Sequence, residues 1–405
     1  MNAIATSRGG GKMADKDARS FYSELGPLLL LTSIFFLNFI SRIIIAPLMP
    51  TIEKDLGMSH SGAGSFFLLI SAGYFITLLC SGFFSSRLLH RRTILLSSTA
   101  VGAALMGIAM SNSLWGVRTG LLVLGMAAGI YLPSGIATLT SLISSRHWGK
   151  AIAVHELAPN LSFVAAPLVC EALLVWFSWR GVLALLGAAS LLVGIGFARF
   201  GRGGEFAGEA PSFGSFRVLF FRPAFWIMVV LFSLGISGTL GIYTMLPLYL
   251  VTERGIDRDW ANTLIALSRI SGLGMAFVAG WVNDQLGAAK TIGAVFLLSG
   301  ISTILLGASP DSLIVLMIFV QPVMASCFFP PGFAALSSIG PPSTRNVAVS
   351  LTIPVAFVLG GGAIPTGIGM MGDAGSFALG IGLVGGLILA GAILSHYLRF
   401  AGDAR

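Results

Sequence analysis

"GWVNDQLGAAK" occupies Gly280–Lys290, and 198 residues earlier "GFFSSRLLHRR" occupies Gly82–Arg92. Each is a short polar loop between two long apolar runs. The same offset aligns Pro133 with Pro331 and Pro167 with Pro365, and one residue less aligns Pro50 with Pro247. Local context agrees to within one residue: "GIYLPSGIA" stands against "SCFFPPGFA", and "VAAPLV" against "GAIPTG". One offset held across several apolar runs marks two halves written on one template.

The template is a membrane template. Of the 405 residues, 55% are hydrophobic and 10% charged, where soluble domains carry about 25% charged residues. A crossing needs about 20 mostly apolar residues. Twelve stretches qualify: 26–50, 61–84, 92–112, 114–139, 150–176, 181–199, 224–250, 261–283, 290–308, 312–337, 346–371 and 375–398. They are too long and continuous for the alternating strands of a barrel. The fold class expected is an all-α polytopic membrane protein, six helices followed by six related ones, with substrate bound between the halves. The expected divisions are a cytoplasmic tail (1–24), two six-helix bundles (25–200 and 223–398), a linker (201–222) and a C-terminal tail (399–405). The first 24 residues lack the apolar core and cleavage site of a signal peptide and read as disordered. The linker is rich in glycine and reads as a joint on which the bundles rock.

Lys and Arg set the orientation. With the N-terminus in the cytoplasm, seventeen fall on that side and five on the other: Lys54, Arg118, Arg180, Arg254 and Arg258. This is a positive-inside bias, with both termini cytoplasmic in the inner (plasma) membrane of a bacterium. The positive net charge is thus a topology signal, and nucleic acid is not a partner. Cys80, Cys170 and Cys327 all fall inside spans and suggest neither disulfide nor metal site. "GGGKM" (Gly9–Met13) and "GAAKT" (Gly287–Thr291) miss the phosphate-loop pattern. No nucleophile and base cluster in a loop, so the chain reads as no enzyme, without cofactor, and as a monomer.

The paired loops resemble the Gly-x-x-x-Asp-Arg-x-Gly-Arg-Arg loop of the major facilitator superfamily. The second copy keeps Gly280, Asp284 and Gly287. The first keeps Gly82, Arg87, Arg91 and Arg92, with Ser86 in place of the Asp and Leu89 in place of the Gly. The resemblance implies that these loops help hold one gate. It also implies that the first, fourth, seventh and tenth spans line the cavity.

Ionisable residues inside spans are functional candidates by default. Arg42 and Arg269 each lie about eight residues, roughly 12 Å, from the outer end of their spans. By the repeat, Arg42 corresponds to Thr239 and Arg269 to Ser71. Each half therefore supplies one cation at similar depth. Guanidinium is a planar fork matched to carboxylate or phosphate, and two forks on one cavity describe an anion site. The bland alternative is snorkelling to the interface. "SRIIIAPLMP" (Ser41–Pro50) is similar to the first span of organophosphate and organic anion carriers, which implies that Arg42 grips the substrate anion. Phosphate-ester carriers also place an Arg where Thr239 stands, and nitrate carriers one where Ser71 stands. A carboxylate is the cautious expectation.

Asn38, Tyr131, Tyr243 and Gln321 are expected to shape the pocket, with Asn160 a weaker candidate. His155 and Glu156 point about 100° apart on one helix, and either can carry a coupling proton. Glu171 reads as structural or gating. His60, His90, His147 and His396 read as solvated. Three functions stay open: a proton-coupled symporter of a small organic anion working by alternating access, an exchanger or carrier of inorganic anions or phosphate esters, and a multidrug efflux pump.

Overall fold

The computed structural model describes residues 24–208, 219–339 and 345–398. The rest of both expected tails and positions 209–218 of the linker lie outside the described residues. Ten helical stretches are long and apolar enough to cross a membrane, and Arg258–Leu286 is an eleventh, bent by 41°. One of the ten, His60–Met110, has 51 residues and would be about 76 Å long if straight. It is broken at Leu89, whose φ of 66° and ψ of 153° are not helical. Divided there, the described chain makes twelve crossings.

They are α1 (Leu25–Leu56), α2 (60–88), α3 (90–110), α4 (Leu114–Leu142), α5 (Trp148–Leu174), α6 (Trp179–Phe200), α7 (Pro223–Thr252), α8 (Arg258–Leu286), α9 (Ala288–Ala308), α10 (Asp311–Leu336), α11 (Val347–Asp373) and α12 (Phe377–Ser395). Helices are the form in which a lipid-embedded backbone satisfies its own polar groups. Most ends overrun the expected spans by a few residues. Helices α1–α6 and α7–α12 form two bundles. The face carrying the start of α1 and the end of α12 is called the terminal face here, and the opposite one the distal face.

Within the bundles, small residues let backbones meet. A Cβ on Gly125 of α4 would lie 2.0 Å from the Ile70 carbonyl oxygen, and one on Gly73 of α2 would lie 2.2 Å from the Leu122 oxygen. Backbone cannot retreat as a flexible side chain can. Thr77 Oγ1 fastens the same seam by donating to the Met126 carbonyl at 2.7 Å. Gly125→Val is therefore expected to cost about 3 kcal/mol or more, and to remove most monodisperse protein from detergent extracts. An unchanged melting midpoint would contradict this close approach.

Two helices are wound wide in their middles. Residues Ser237–Gly241 of α7 and Leu359–Ala363 of α11 are π-helical. A Cβ on Gly241 would meet the Gly360 carbonyl at 2.5 Å, so the wide turns nest against each other. Such turns free carbonyls from the helical ladder and frequently mark functional sites.

The repeat extends into the backbone. Leu89 (φ 66°, ψ 153°) and its partner by offset, Gly287 (φ 81°, ψ 158°), share one conformation. That region is essentially reserved for glycine and costs another residue about 1–3 kcal/mol. Leu89→Gly is thus expected to raise the melting midpoint by about one to a few °C, and Gly287→Leu to lower it. Differential scanning fluorimetry checks both, and a lowered midpoint for Leu89→Gly would contradict the strain.

The first part of the linker is no free joint. His90 N–H donates to the Phe206 carbonyl, Arg91 N–H to Gly204 and Gly208 N–H to Ser85, at 2.8–3.1 Å. Arg91 also reaches Glu205 at 3.2 Å and the Ala198 carbonyl at 2.9 Å. Positive φ at Gly203 and Gly204 turns the chain onto the α2–α3 corner. His90, expected in solvent, is buried beneath this strap, 3.1 Å from Ser134 Oγ and against the Phe206 ring. The correction has a plain cause: positions 201–208 contribute backbone donors and acceptors that sequence patterning does not reveal.

Candidate functional site

Arg42 sits near the middle of α1 and is buried. Its Nε donates to the Asn38 carbonyl at 3.4 Å, and its guanidinium carbon lies 4.8 Å from the Phe39 ring centre and 4.4 Å from that of Tyr74. Arg269 on α8 is half-buried. Its Nη2 donates to the Thr239 carbonyl, in the wide turn of α7, at 3.4 Å. Its guanidinium carbon lies 5.2 Å from the Phe163 ring centre and 4.8 Å from that of Tyr243. Neither guanidinium meets a carboxylate among the described residues, and the Nε of Arg269 has no partner. Each cation instead rests on two aromatic faces, an attraction of about 0.5–2 kcal/mol. That is well short of what an ion loses on leaving water.

The two cations belong to one cluster. Phe39 of α1 meets Phe163 of α5 edge to face with ring centres 5.4 Å apart, and Phe163 meets Tyr243 of α7 in the same way at 4.9 Å. Arg42 thus stands at one end of a line of rings and Arg269 at the other. They do not share a cavity wall here. Arg42 lines a cavity of about 20 Å³, bounded by α1 and α2 on one side and by Leu240, Thr244, Phe357 and Gly361 of α7 and α11 on the other. That is room for about one or two waters. The expectation of two forks on one cavity is met only in part, because the Phe39–Phe163 pair stands between them.

Three expected ligands are spent inside the bundles. Asn38 Nδ2 donates to Ser97 Oγ and the Ala128 carbonyl, tying α1 to α3 and α4. Gln321 Nε2 donates to the Gly238 carbonyl and Thr303 Oγ1, tying α10 to α7 and α9. Each half is thus pinned by one amide across equivalent helices. Tyr131 donates to the Leu31 carbonyl at 2.8 Å and stacks beside Phe35. The physical reason is common to all three: a buried amide or phenol is satisfied by the nearest carbonyl unless the helix face turns it to the cavity. Tyr243 does reach the cluster, under Arg269, with its hydroxyl 3.4 Å from the Phe163 carbonyl. Asn160 bonds within its own helix.

His155 and Glu156 part as their spacing requires. His155 is fully buried, with Nε2 3.1 Å from the Tyr131 hydroxyl and its ring stacked on Phe35 at 4.4 Å. Its Nδ1 has no hydrogen-bond partner and lies 3.7 Å from Glu156. The Glu156 side chain is half-exposed. In the motif loops, Arg87 and Asp284 are exposed, Arg91 holds the linker, Gly82 and Gly280 lie within helices, and Gly287 makes the turn described above.

Sequence reasoning missed how the bundles clasp. Glu171, near the distal end of α5, accepts from Arg258 Nε at 3.1 Å and Nη2 at 3.0 Å, and from Asn262 Nδ2. Arg258 also reaches Thr51 of α1. Asp373, ending α11, accepts from the His60 and Ser61 backbone N–H groups at 2.8 and 3.0 Å, at the positive end of α2. His60 and Arg258 are partners by the 198-residue offset. The start of α2 or α8 in each half is therefore held by an acid from the other half. His60, expected in solvent, also lies 3.0 Å from Glu53. Among the described residues, the hydrogen bonds between bundles lie at the depth of the cation cluster or distal to it.

The sequence profile of the Major Facilitator Superfamily matches residues 31–285. The chain belongs to the Major Facilitator Superfamily. By that membership it is a secondary transporter embedded in a bilayer, not an enzyme. The membrane sensor protein UhpC of Escherichia coli K12 is 24% identical over 353 residues, covering 79% of this chain and 78% of its own. The Probable L-galactonate transporter of the same organism is 24% identical, covering 64% of this chain and 61% of its own. The gallate transporter of Pseudomonas putida is 22% identical, with 64% and 65% covered. Among solved superfamily structures, a bacterial homologue of the lysosomal transporter Spinster, inward-facing, aligns with a TM-score of 0.78 at 16% identity, covering 94% of this chain and 95% of its own.

Proposed function

We propose that this superfamily member carries a small organic anion, a carboxylate, across a bacterial plasma membrane by alternating access coupled to protons. The observation that carries the reading is the pair of arginines inside spanning helices, one per bundle, without a carboxylate partner among the described residues. A permanent cation held there on ring faces and one long hydrogen bond to a carbonyl is a standing cost, which a bound anion removes. Two similar transporters are named for carboxylates, L-galactonate and gallate, which supports the class.

Alternating access fits the clasp. With the distal ends closed, the bundles part toward the terminal face, and the cavity beside Arg42 widens when the second bundle swings away from the first. The positive-inside bias puts the terminal face and both termini in the cytoplasm. For the proton, His155 and Glu156 are the pair: one buried with a free ring nitrogen, the other half-exposed 3.7 Å away. The protein acts as a monomer.

The test is uptake of a panel of labelled small carboxylates, benzoate among them, into vesicles holding the purified protein. An inwardly directed proton gradient is expected to drive accumulation, and a protonophore to abolish it. Counterflow of anion indifferent to pH would point to an exchanger instead.

A further inference from the structure

Resting on the reading of Arg42 as an anion site, we infer that the cargo is a monocarboxylate carried on an aromatic ring, not a polyhydroxylated acid or a phosphate ester. The wall of the Arg42 cavity decides this. Four of its eleven lining residues are aromatic: Phe39, Phe67, Tyr74 and Phe357. Ile43, Ile70 and Leu240 are aliphatic. Of the two aliphatic hydroxyls, Thr244 is already spent on the Gly241 carbonyl at 2.9 Å. Ser71 and the Tyr74 hydroxyl are what is left to meet a polar ligand atom beside the guanidinium.

A sugar acid such as gluconate brings five hydroxyls. The wall can pair one or two. Each hydroxyl buried without a partner lowers affinity by roughly tenfold, so the mismatch is large. A phosphate ester carries a second charge, and Arg269 lies beyond the Phe39–Phe163 ring pair in this arrangement. A benzene ring, by contrast, meets faces and edges of rings at the spacings they favour. At about 20 Å³ the cavity does not hold benzoate as it stands. Four of its eleven lining residues, however, come from α7 and α11 of the other bundle, so parting the bundles enlarges it without unfolding either.

The test is the melting midpoint and equilibrium binding of the purified full-length protein with sodium benzoate, gluconate or glycerol 3-phosphate at equal concentrations, repeated with Arg42→Ala and Phe67→Leu. Benzoate is expected to raise the midpoint, gluconate and glycerol 3-phosphate to leave it within error, and Arg42→Ala to remove the benzoate effect. Phe67→Leu is expected to weaken benzoate binding by a few-fold to about tenfold. If gluconate or glycerol 3-phosphate binds more tightly than benzoate and still needs Arg42, the aromatic cargo is wrong while the anion site stands. If benzoate stabilises Arg42→Ala as well as the wild type, or no anion acts on the wild type, the anion site falls and this inference with it.

Discussion

Arg42→Ala is expected to reduce transport by about a hundredfold or more while leaving a folded protein. A fork gripping a carboxylate makes charge-assisted hydrogen bonds worth about 1.5–3 kcal/mol each, and two of them account for that factor. Folding survives for a reason visible in the geometry. Arg42 answers no acid among the described residues, so its removal leaves no orphaned charge behind, and it relieves the burial of a cation. Arg42→Lys keeps the charge and loses the planar fork, and an intermediate rate is expected. Arg269→Ala is expected to behave like Arg42→Ala. Tracer uptake into vesicles, beside size-exclusion and circular-dichroism checks, reads these outcomes; uptake retained in both alanine variants would contradict the assignment.

The second large effect lies at the distal clasp. Glu171→Gln replaces an acceptor that serves Arg258 twice and Asn262 once. The pair is only half-buried, so screening tempers its strength. Even about 1.5 kcal/mol shifts the balance between distal-closed and distal-open forms by roughly tenfold. Cys170 is a native reporter, buried in the core one residue from Glu171. With Cys80 and Cys327 replaced by serine, its rate of maleimide labelling is expected to rise roughly tenfold in Glu171→Gln and in Arg258→Ala. The exchange of the two charges, Glu171→Arg with Arg258→Glu, is expected to bring the rate back down. Labelling indifferent to all three would mean that the clasp does not govern opening.

Much of the architecture was legible in the sequence because hydropathy and repetition are direct consequences of a bilayer. The twelve crossings and the two halves need only length, composition and offset. Which way a polar side chain points was not legible. When every face of a helix is apolar, periodicity no longer marks the buried side, so Asn38, Tyr131 and Gln321 were expected in the cavity and are found holding helices together. Glu171 was expected to be structural or gating, but its partner Arg258 lies 87 residues away and no local spacing reveals the pair. The offset that matches His60 to Arg258 was there to be read and marks the two helix starts, but the acids that hold them, Glu171 and Asp373, are not offset partners. The buried His90 and the strap over it rest on backbone groups, which leave little trace in residue type.

The central claim is that two guanidinium groups, one per bundle, hold one anion together, Arg42 directly and Arg269 from across the Phe39–Phe163 pair. Calorimetric binding of the transported anion to wild type, Arg42→Ala, Arg269→Ala and the double variant tests it most directly. If both groups grip one anion together, the losses are strongly coupled, and the double variant binds about as weakly as the worse single. Losses that simply add, or a single variant that binds as the wild type does, would contradict it.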